Sequence, residues 1–159
     1  MIKNRDDYLT WDQYFMAIAV MSAKRSKDHN TQVGACIVYN SKIIGTGYNG
    51  LPYGFDDTEF DWNRKGDYYK TKYPYIVHAE LNAILNVSMQ GEVRGSKLYC
   101  TLFPCHECAK AIVQSGITEV YFMEDKYDGS PSNLASKLMF RKAGVLTQQI
   151  CNEGLDETR

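Results

Sequence analysis

Two short motifs contain the residue types that could hold a metal ion and move a proton. His78 and Glu80 form an H-x-E tripeptide, and Cys105 and Cys108 form a C-x-x-C pair directly after Pro104. A catalytic zinc ion commonly takes three protein ligands and keeps its fourth position for water. The imidazole of His78 and the two cysteine thiolates would complete that ligand set. Glu80 would then remain available to transfer protons rather than to bind the metal.

The order of H-x-E followed by P-C-x-x-C is the pattern of zinc-dependent nucleobase deaminases. Zinc lowers the pKa of water from about 15.7 to about 7, which supplies hydroxide at neutral pH. In this hypothesis hydroxide attacks C4 of a cytosine ring, and Glu80 carries a proton from water to ring N3 and then to the departing amine. The alternative is a structural zinc site, which normally needs a fourth Cys or His. His106 directly follows Cys105 and is poorly placed to be that ligand.

Length, charge and cysteine content limit the class of protein. We expect the 159 residues to form one domain over 1–159. A net charge of −1 argues against nucleic acid as a partner. No apolar run approaches the ~20 residues that span a bilayer, and no signal peptide begins the chain, so we expect a cytoplasmic protein without membrane contact. Five cysteines fit reduced thiols and metal binding, and we expect Cys36, Cys100 and Cys151 to be buried on strands.

Apolar periodicity and turn signals predict the element order αββαβαβαβ. A capping box that starts at Thr10 should begin the first helix, Asn40 and Ser41 should turn a hairpin, and Gly116 and Gly144 should end two later helices. This order predicts an α/β fold with a five-stranded mixed sheet and helices on its faces. Both metal-binding motifs fall at expected helix starts, where thiolate charge is favoured. The predicted helices cover 11–23, 78–89, 105–115 and 132–143, and the predicted strands cover 32–39, 42–48, 97–101, 119–123 and 145–150.

Residues 50–75 form an unusually long segment without a predicted helix or strand. Loops of this length in a compact domain are commonly functional or disordered. The segment contains eight aromatic residues, which is too many for a disordered linker. It could be an Ω-loop packed on its own side chains, or a lid, an effector site or a subunit contact. It contains no Cys or His, so we do not expect a second zinc site there.

Three further stretches contain candidate ligand-binding residues. Arg25 and Ser26 follow the first helix and could grip a phosphate, although cations there also suit the negative end of the helix. Asn49 lies in a glycine-rich stretch where it could bond a sugar hydroxyl, although the glycines could simply end the strand. Tyr127 lies in a loop after a strand, a usual position for ligand contacts, and could bond a substrate phosphate or simply pack.

These stretches together resemble the deoxycytidylate (dCMP) deaminases of the cytidine deaminase superfamily. The resemblance extends from about Trp11 to Val145 and rests on A-K-R-S-K-D…T-Q-V-G-A at 23–35, G-Y-N-G-L-P-Y-G at 47–54, H-A-E-L-N-A-I at 78–84, P-C-H-E-C-A-K at 104–110 and F-M-E-D-K-Y at 122–127. It implies a three-layer αβα fold, one catalytic Zn²⁺ per chain, hydrolysis of dCMP to dUMP for dTMP synthesis, and a homohexamer. It also implies activation by dCTP with Mg²⁺ and inhibition by dTTP.

The resemblance and the residue chemistry together assign further site residues. The predicted substrate-binding residues are Arg25, Ser26, Asn49, Ala79, Pro104 and Tyr127. The predicted effector-binding residues are Gly47, Tyr48, Gly50, Pro52, Gly54 and Asn82. One rival is a nucleic-acid-editing enzyme such as a tRNA adenosine deaminase, which the acidic stretch at 152–159 argues against. A non-catalytic nucleotide-sensing module is a second rival, and the presence of Glu80 gives it no support.

Overall fold

The computed structural model describes residues 5–58, 60–87 and 93–150, and the predicted α/β order is confirmed there. The helices are α1 (Trp11–Ala23), α2 (Ala79–Leu85), α3 (His106–Ser115) and α4 (Pro131–Ala143), with a short 3-10 turn at Tyr68–Lys70. The strands are β1 (Gly34–Tyr39), β2 (Lys42–Tyr48), β3 (Lys97–Leu102), β4 (Glu119–Glu124) and β5 (Leu146–Gln149).

Capping residues explain where most of the helices begin and end. The Thr10 side chain accepts a bond from the Gln13 amide (3.2 Å), and the Gln13 side chain accepts one from the Thr10 amide (2.8 Å), which completes the predicted capping box of α1. Gly116 and Gly144 end α3 and α4 in the left-handed conformation, also as predicted. The predicted end of α2 near residue 89 was wrong, because the helix already ends at Leu85; residues 88–92 lie outside the described part.

The order and direction of the strands bring several strand ends to one edge of the sheet. The strands lie in the order β2-β1-β3-β4-β5, in which β1 is antiparallel to β2 and β3, whereas β3, β4 and β5 are parallel. Asn40 and Ser41, with φ of 48° and 60°, form the predicted β1–β2 hairpin turn. The start of β1 and the ends of β2, β3 and β4 therefore meet at the same edge.

Helices cover both faces of the sheet, which gives the predicted three layers. On one face, Phe15, Met16 and Ala19 of α1 pack against Cys36 and neighbouring strand residues. On the other face, α2, α3 and α4 cover a larger core that includes Cys100. Both cysteines are buried as expected, while Cys151 lies outside the described residues. Within residues 5–58, 60–87 and 93–150, no helix has the length and apolar composition needed to cross a bilayer.

Candidate active site

The predicted metal ligands meet where two helices begin. His78 is the N-cap residue of α2, Cys105 is the N-cap residue of α3, and Cys108 lies in the first turn of α3. The Nδ1 atom of His78 lies 3.3 Å from the Cys105 Sγ atom and 3.4 Å from the Cys108 Sγ atom. Nitrogen and sulfur ligands around a tetrahedral zinc ion are separated by roughly 3.5 Å, from bond lengths of about 2.0 and 2.3 Å. The donor set and its spacing therefore fit one zinc ion.

The two thiols differ strongly in acidity because they share a hydrogen bond. The bond from Cys108 and a further one from His78 outweigh burial and lower the pKa of Cys105 to about 3. The same bond to Cys105, together with burial, raises the pKa of Cys108. Cys105 is therefore the more acidic of the two thiols. A divalent ion binds thiolates, so metal binding would release any proton that a sulfur atom carries.

Glu80 lies beside the ligands on the second residue of α2, with 4% of its surface exposed. Its Oε2 atom accepts a hydrogen bond from the Cys108 Sγ atom at 3.5 Å. Burial raises the pKa of Glu80, and the nearby charge of His78 opposes this shift. A buried carboxyl group with a raised pKa next to a metal site is typical of a general acid–base. Its position fits the proton-transfer role predicted from H-x-E.

The residues around Cys105 support a site that keeps one position open. Pro104 is fully buried, and its carbonyl oxygen accepts a hydrogen bond from the Ser136 hydroxyl at 2.8 Å. His106 is exposed, as predicted, and its Nδ1 atom lies 2.8 Å from the Ser132 Oγ atom. The His106 ring is therefore engaged with α4. Among the described residues, the metal-binding group consists of His78, Cys105 and Cys108.

A cavity of about 280 Å³ opens in front of His78 and Glu80. It lies at the sheet edge where β1 begins and where β2 and β3 end. Part of its wall is apolar, contributed by Val33, Ile76, Leu102 and Phe103. Such a wall can hold a flat ring and exclude water next to Glu80.

Three of the predicted substrate-binding residues line this cavity: Asn49, Ala79 and Tyr127. The Asn49 amide is held at both ends, because its Oδ1 atom accepts from the Val33 amide and its Nδ2 atom donates to the Thr31 carbonyl, each at 2.8 Å. One N–H and one lone pair of that amide remain for a ligand. Tyr127 is half exposed, at 50%, so it lies towards the mouth of the cavity.

The other three, Arg25, Ser26 and Pro104, are not among the lining residues. The guanidinium carbon of Arg25 lies 5.9 Å above the ring of Tyr48, a cation–π contact on the surface. Ser26 donates its hydroxyl to the main-chain carbonyl of Asn49 at 2.9 Å and so supports a residue that does line the cavity. Substrate contact by Arg25, Ser26 and Pro104 stays a prediction.

Two predicted effector residues have a clear packing role. A Cβ atom on Gly47 would lie 2.3 Å from the Ala79 carbonyl oxygen, so the absence of a side chain lets α2 approach β2 closely. Asn82 donates its side-chain amide to the carbonyl of Tyr48 at 2.9 Å. Asn86 similarly donates to a carbonyl of β2. Because β2 is an edge strand, these side chains satisfy carbonyl groups that no neighbouring strand covers.

The remaining effector candidates lie in the turn after β2. Gly50 and Val77 form an isolated antiparallel β-bridge, with main-chain hydrogen bonds of 3.1 and 2.8 Å. The Phe55 amide donates to the Pro52 carbonyl, and Gly54 lies within this turn at φ 91°. A Cβ atom added to Gly54 would have no described neighbour within 4 Å, so the surroundings of this residue are open. Effector binding by this turn stays a prediction.

The structure adds cavity residues that the sequence did not reveal. Arg64, Lys72 and Tyr73 from the 50–75 segment line the cavity, together with Asp28. Lys72 and Asp28 form a buried ion pair across 44 residues of sequence, and no local pattern could have linked them. The segment also packs on its own aromatic rings, at centroid distances of 5.5 to 6.4 Å among Phe55, Phe60, Trp62 and Tyr75.

Comparison with known proteins gives consistent matches in sequence and fold. Residues 9–124 match the family described as "Cytidine and deoxycytidylate deaminase zinc-binding region". Human deoxycytidylate deaminase is 55% identical over 145 residues, which cover 90% of this chain and 81% of the human protein. A probable deoxycytidylate deaminase of Drosophila melanogaster is 51% identical over 148 residues, which cover 89% of this chain and 72% of the fly protein.

Solved structures show the same fold. The dCMP deaminase of cyanophage S-TIM5, in complex with dCMP and dUMP, matches with a TM-score of 0.71 and 26% identity, covering 90% of this chain and 100% of that chain. A tRNA:A34 deaminase matches with a TM-score of 0.52 and 24% identity, covering 79% of this chain and 88% of that chain, which is a likeness of fold alone. With the zinc-binding motifs in place and most of the chain matched, the protein belongs to the cytidine and deoxycytidylate deaminase family.

Proposed function

We propose that this protein hydrolyses dCMP to dUMP and ammonia, a step that feeds dTMP synthesis. The observation that carries the proposal is the buried Glu80 carboxyl group beside the His78, Cys105 and Cys108 side chains, at a cavity with a partly apolar wall. Relatives named deoxycytidylate deaminases support the choice of substrate. The cyanophage enzyme with dCMP and dUMP supports it further.

The three ligand side chains would hold zinc, which when bound lowers the pKa of water to about 7 and so supplies the nucleophile at neutral pH. Glu80 accepts the proton that water loses on attack at C4 and donates it to ring N3. The same carboxyl group then takes the proton of the hydroxyl group at C4 and delivers it to the amine, so that ammonia leaves as the C4 carbonyl forms. Such general acid–base catalysis is typically worth about 10² to 10⁴ in rate.

The cavity walls would orient the nucleotide for this chemistry. Leu102 and Phe103 line the cavity shortly before Cys105 in the sequence, and they can pack against the flat faces of the pyrimidine. Asn49 is fixed by its two main-chain hydrogen bonds and keeps a donor and an acceptor for a sugar hydroxyl. Tyr127 at the mouth can reach the more polar end of the substrate.

A substrate panel tests this function. Zinc-loaded protein is assayed on dCMP, CMP, deoxycytidine and tRNA, and we expect the highest kcat/KM for dCMP. Preferential conversion of an adenosine in tRNA to inosine would instead identify a nucleic-acid deaminase. Binding of nucleotides without turnover of any substrate would identify a nucleotide-sensing module.

We also propose regulation of a homohexamer by dCTP with Mg²⁺ as activator and dTTP as inhibitor. The G-Y-N-G-L-P-Y-G stretch at 47–54, through which the chain resembles the family, supports this proposal. The two nucleotides must bind two conformations with different affinity, because a ligand with equal affinity for both shifts nothing. The dCMP saturation curve should be sigmoidal alone and hyperbolic with dCTP and Mg²⁺. Hyperbolic kinetics that neither nucleotide alters would contradict it.

A further inference from the structure

The 50–75 segment supplies the Lys and Arg side chains of the active-site cavity. Among the described lining residues these are Lys72 and Arg64. The Lys72 ammonium group is bound to the Asp28 carboxylate, and both side chains are buried, at 7% and 3% exposure. The charge of Lys72 is therefore already paired. Arg64 is exposed, so it lies where the cavity meets solvent.

The Arg64 guanidinium group is oriented but not saturated. Its Nε atom donates to the Tyr73 hydroxyl at 3.0 Å, and an Nη atom donates to the Asn30 Oδ1 atom at 3.4 Å. A guanidinium group has five N–H donors, so three remain beyond these two bonds. Its fork geometry suits two oxygens of one phosphate group. The Tyr73 hydroxyl accepts the bond from Arg64 and can donate its own proton to the same anion.

The buried ion pair is close to both hydrogen-bond partners of Arg64. Asn30, one partner of Arg64, has its main-chain amide bonded to the Asp28 carboxylate at 2.9 Å. Tyr73, the other partner, directly follows Lys72 in the chain. The main-chain amide of Lys72 also donates to the carbonyl of Asn63, the residue before Arg64, at 2.9 Å. The two residues of the ion pair are thus bonded to Asn30 and to the main chain beside Arg64, and Lys72 is joined directly to Tyr73.

We propose that Arg64 and Tyr73 bind the 5′-phosphate of the substrate and that the Lys72–Asp28 ion pair positions them. This inference rests on the proposed function, because it assigns the phosphate end of the same nucleotide. Glu80 is buried within the cavity and Arg64 is exposed at its mouth, so the pyrimidine enters first and the phosphate remains outside. The segment therefore selects nucleotides over nucleosides.

The test compares kcat/KM for dCMP and for deoxycytidine in wild type and Arg64→Met. We expect the loss with dCMP to exceed the loss with deoxycytidine by about 10- to 150-fold, the range for a lost hydrogen bond to a charged group. Lys65→Met is the matched control, because Lys65 is an exposed cation of the same segment that does not line the cavity. Equal losses on both substrates in Arg64→Met would overturn the assignment. A selective loss in Arg25→Met, with none in Arg64→Met, would also overturn it.

Calorimetry separates a failure of this inference from a failure of the proposed function. Binding of dUMP and of deoxyuridine is measured on wild type and Arg64→Met, and neither measurement requires turnover. Weaker dUMP binding with retained deoxyuridine binding supports the phosphate assignment, whereas unchanged dUMP binding overturns it. Absence of dCMP turnover in the wild type would overturn the proposed function alone.

The positioning role of the ion pair needs a variant that folds. Lys72→Met alone leaves a buried carboxylate unpaired, so the double variant Lys72→Met/Asp28→Asn is used, which removes both charges and keeps an acceptor for the Asn30 amide. We expect its KM for dCMP to rise while kcat for dCMP and KM for deoxycytidine change little. An unchanged KM for dCMP would overturn the positioning role.

Discussion

Replacing Gly47 by alanine should displace α2, the helix that begins at His78 and contains Glu80. A Cβ atom on Gly47 would lie 2.3 Å from the Ala79 carbonyl oxygen and 2.3 Å from the Ala83 amide nitrogen. Both are main-chain atoms of α2, so rotation of a side chain cannot relieve the contact. The helix must move away from β2 as a unit, and it must carry with it His78 and Glu80, the predicted metal ligand and proton carrier.

Overpacking of a well-packed contact typically costs 1–3 kcal/mol, and two main-chain clashes place Gly47→Ala near the upper end, at about 3 kcal/mol. For a chain of this size each kcal/mol lowers Tm by about 2–4 °C, so we expect a decrease of roughly 6–12 °C. A catalytic group misplaced by about 1 Å can lose roughly 10²-fold in rate, so dCMP turnover should fall by up to that factor. Circular dichroism at fixed zinc concentration and a dUMP release assay measure the two effects.

Gly50→Ala is the matched control in the same glycine-rich stretch. Its Cβ atom would meet only the Tyr48 ring, at 3.5 Å, which is an ordinary contact. We expect a change in Tm of no more than ~2 °C for this variant. A Gly47→Ala protein as stable and active as Gly50→Ala would refute the packing argument. If that protein had also lost its response to dCTP, Gly47 would belong to an effector site.

Two further predictions concern the metal centre and the buried ion pair. Cys105→Ala should lose the metal and part of its thermal stability, because metal binding is coupled to folding, and one tightly bound zinc per chain in this variant would contradict the ligand set. Burial acts to raise the pKa of Asp28, but hydrogen bonds from Lys72 and from main-chain amides, together with the charge of Lys72, outweigh it and hold that pKa below its usual 3.8. The contribution of Asp28 to stability is therefore complete above that value and is lost as the pH falls below it. Lys72→Met should cost about 3–5 kcal/mol of unfolding free energy at neutral pH and less in acid, and equal costs in urea unfolding at pH 7 and pH 3 would disprove this.

The parts of the fold with local signals could be predicted from the sequence. The Thr10 capping box, the hairpin turn at Asn40 and the helix-ending Gly116 each depend on residues that are close in the chain. The grouping of the three predicted metal ligands could be expected for a similar reason. Each motif lies at one helix start, so only the meeting of two helix starts had to be inferred, and His78 and Cys105 confirm it.

The substrate end of the site could not be predicted, because it depends on contacts between distant segments. The ion pair between Asp28 and Lys72 is a tertiary contact, and Arg64 lines the cavity whereas Arg25 does not. The glycine-rich stretch was ambiguous for a different reason. A sequence shows that Gly47 lacks a side chain, but not whether a ligand or a helix lies against it; here the neighbour is α2.

The proposed chemistry is tested most directly by comparing dUMP release from dCMP in zinc-loaded wild type and Glu80→Gln. Zinc content must be measured in both proteins, because Glu80 contacts the ligand Cys108. We predict that the wild type deaminates dCMP. Glu80→Gln should retain one zinc per chain, and its kcat should be lower by about 10²- to 10⁴-fold. Deamination by zinc-loaded Glu80→Gln at a rate near that of the wild type would contradict the assignment of Glu80 as the proton carrier.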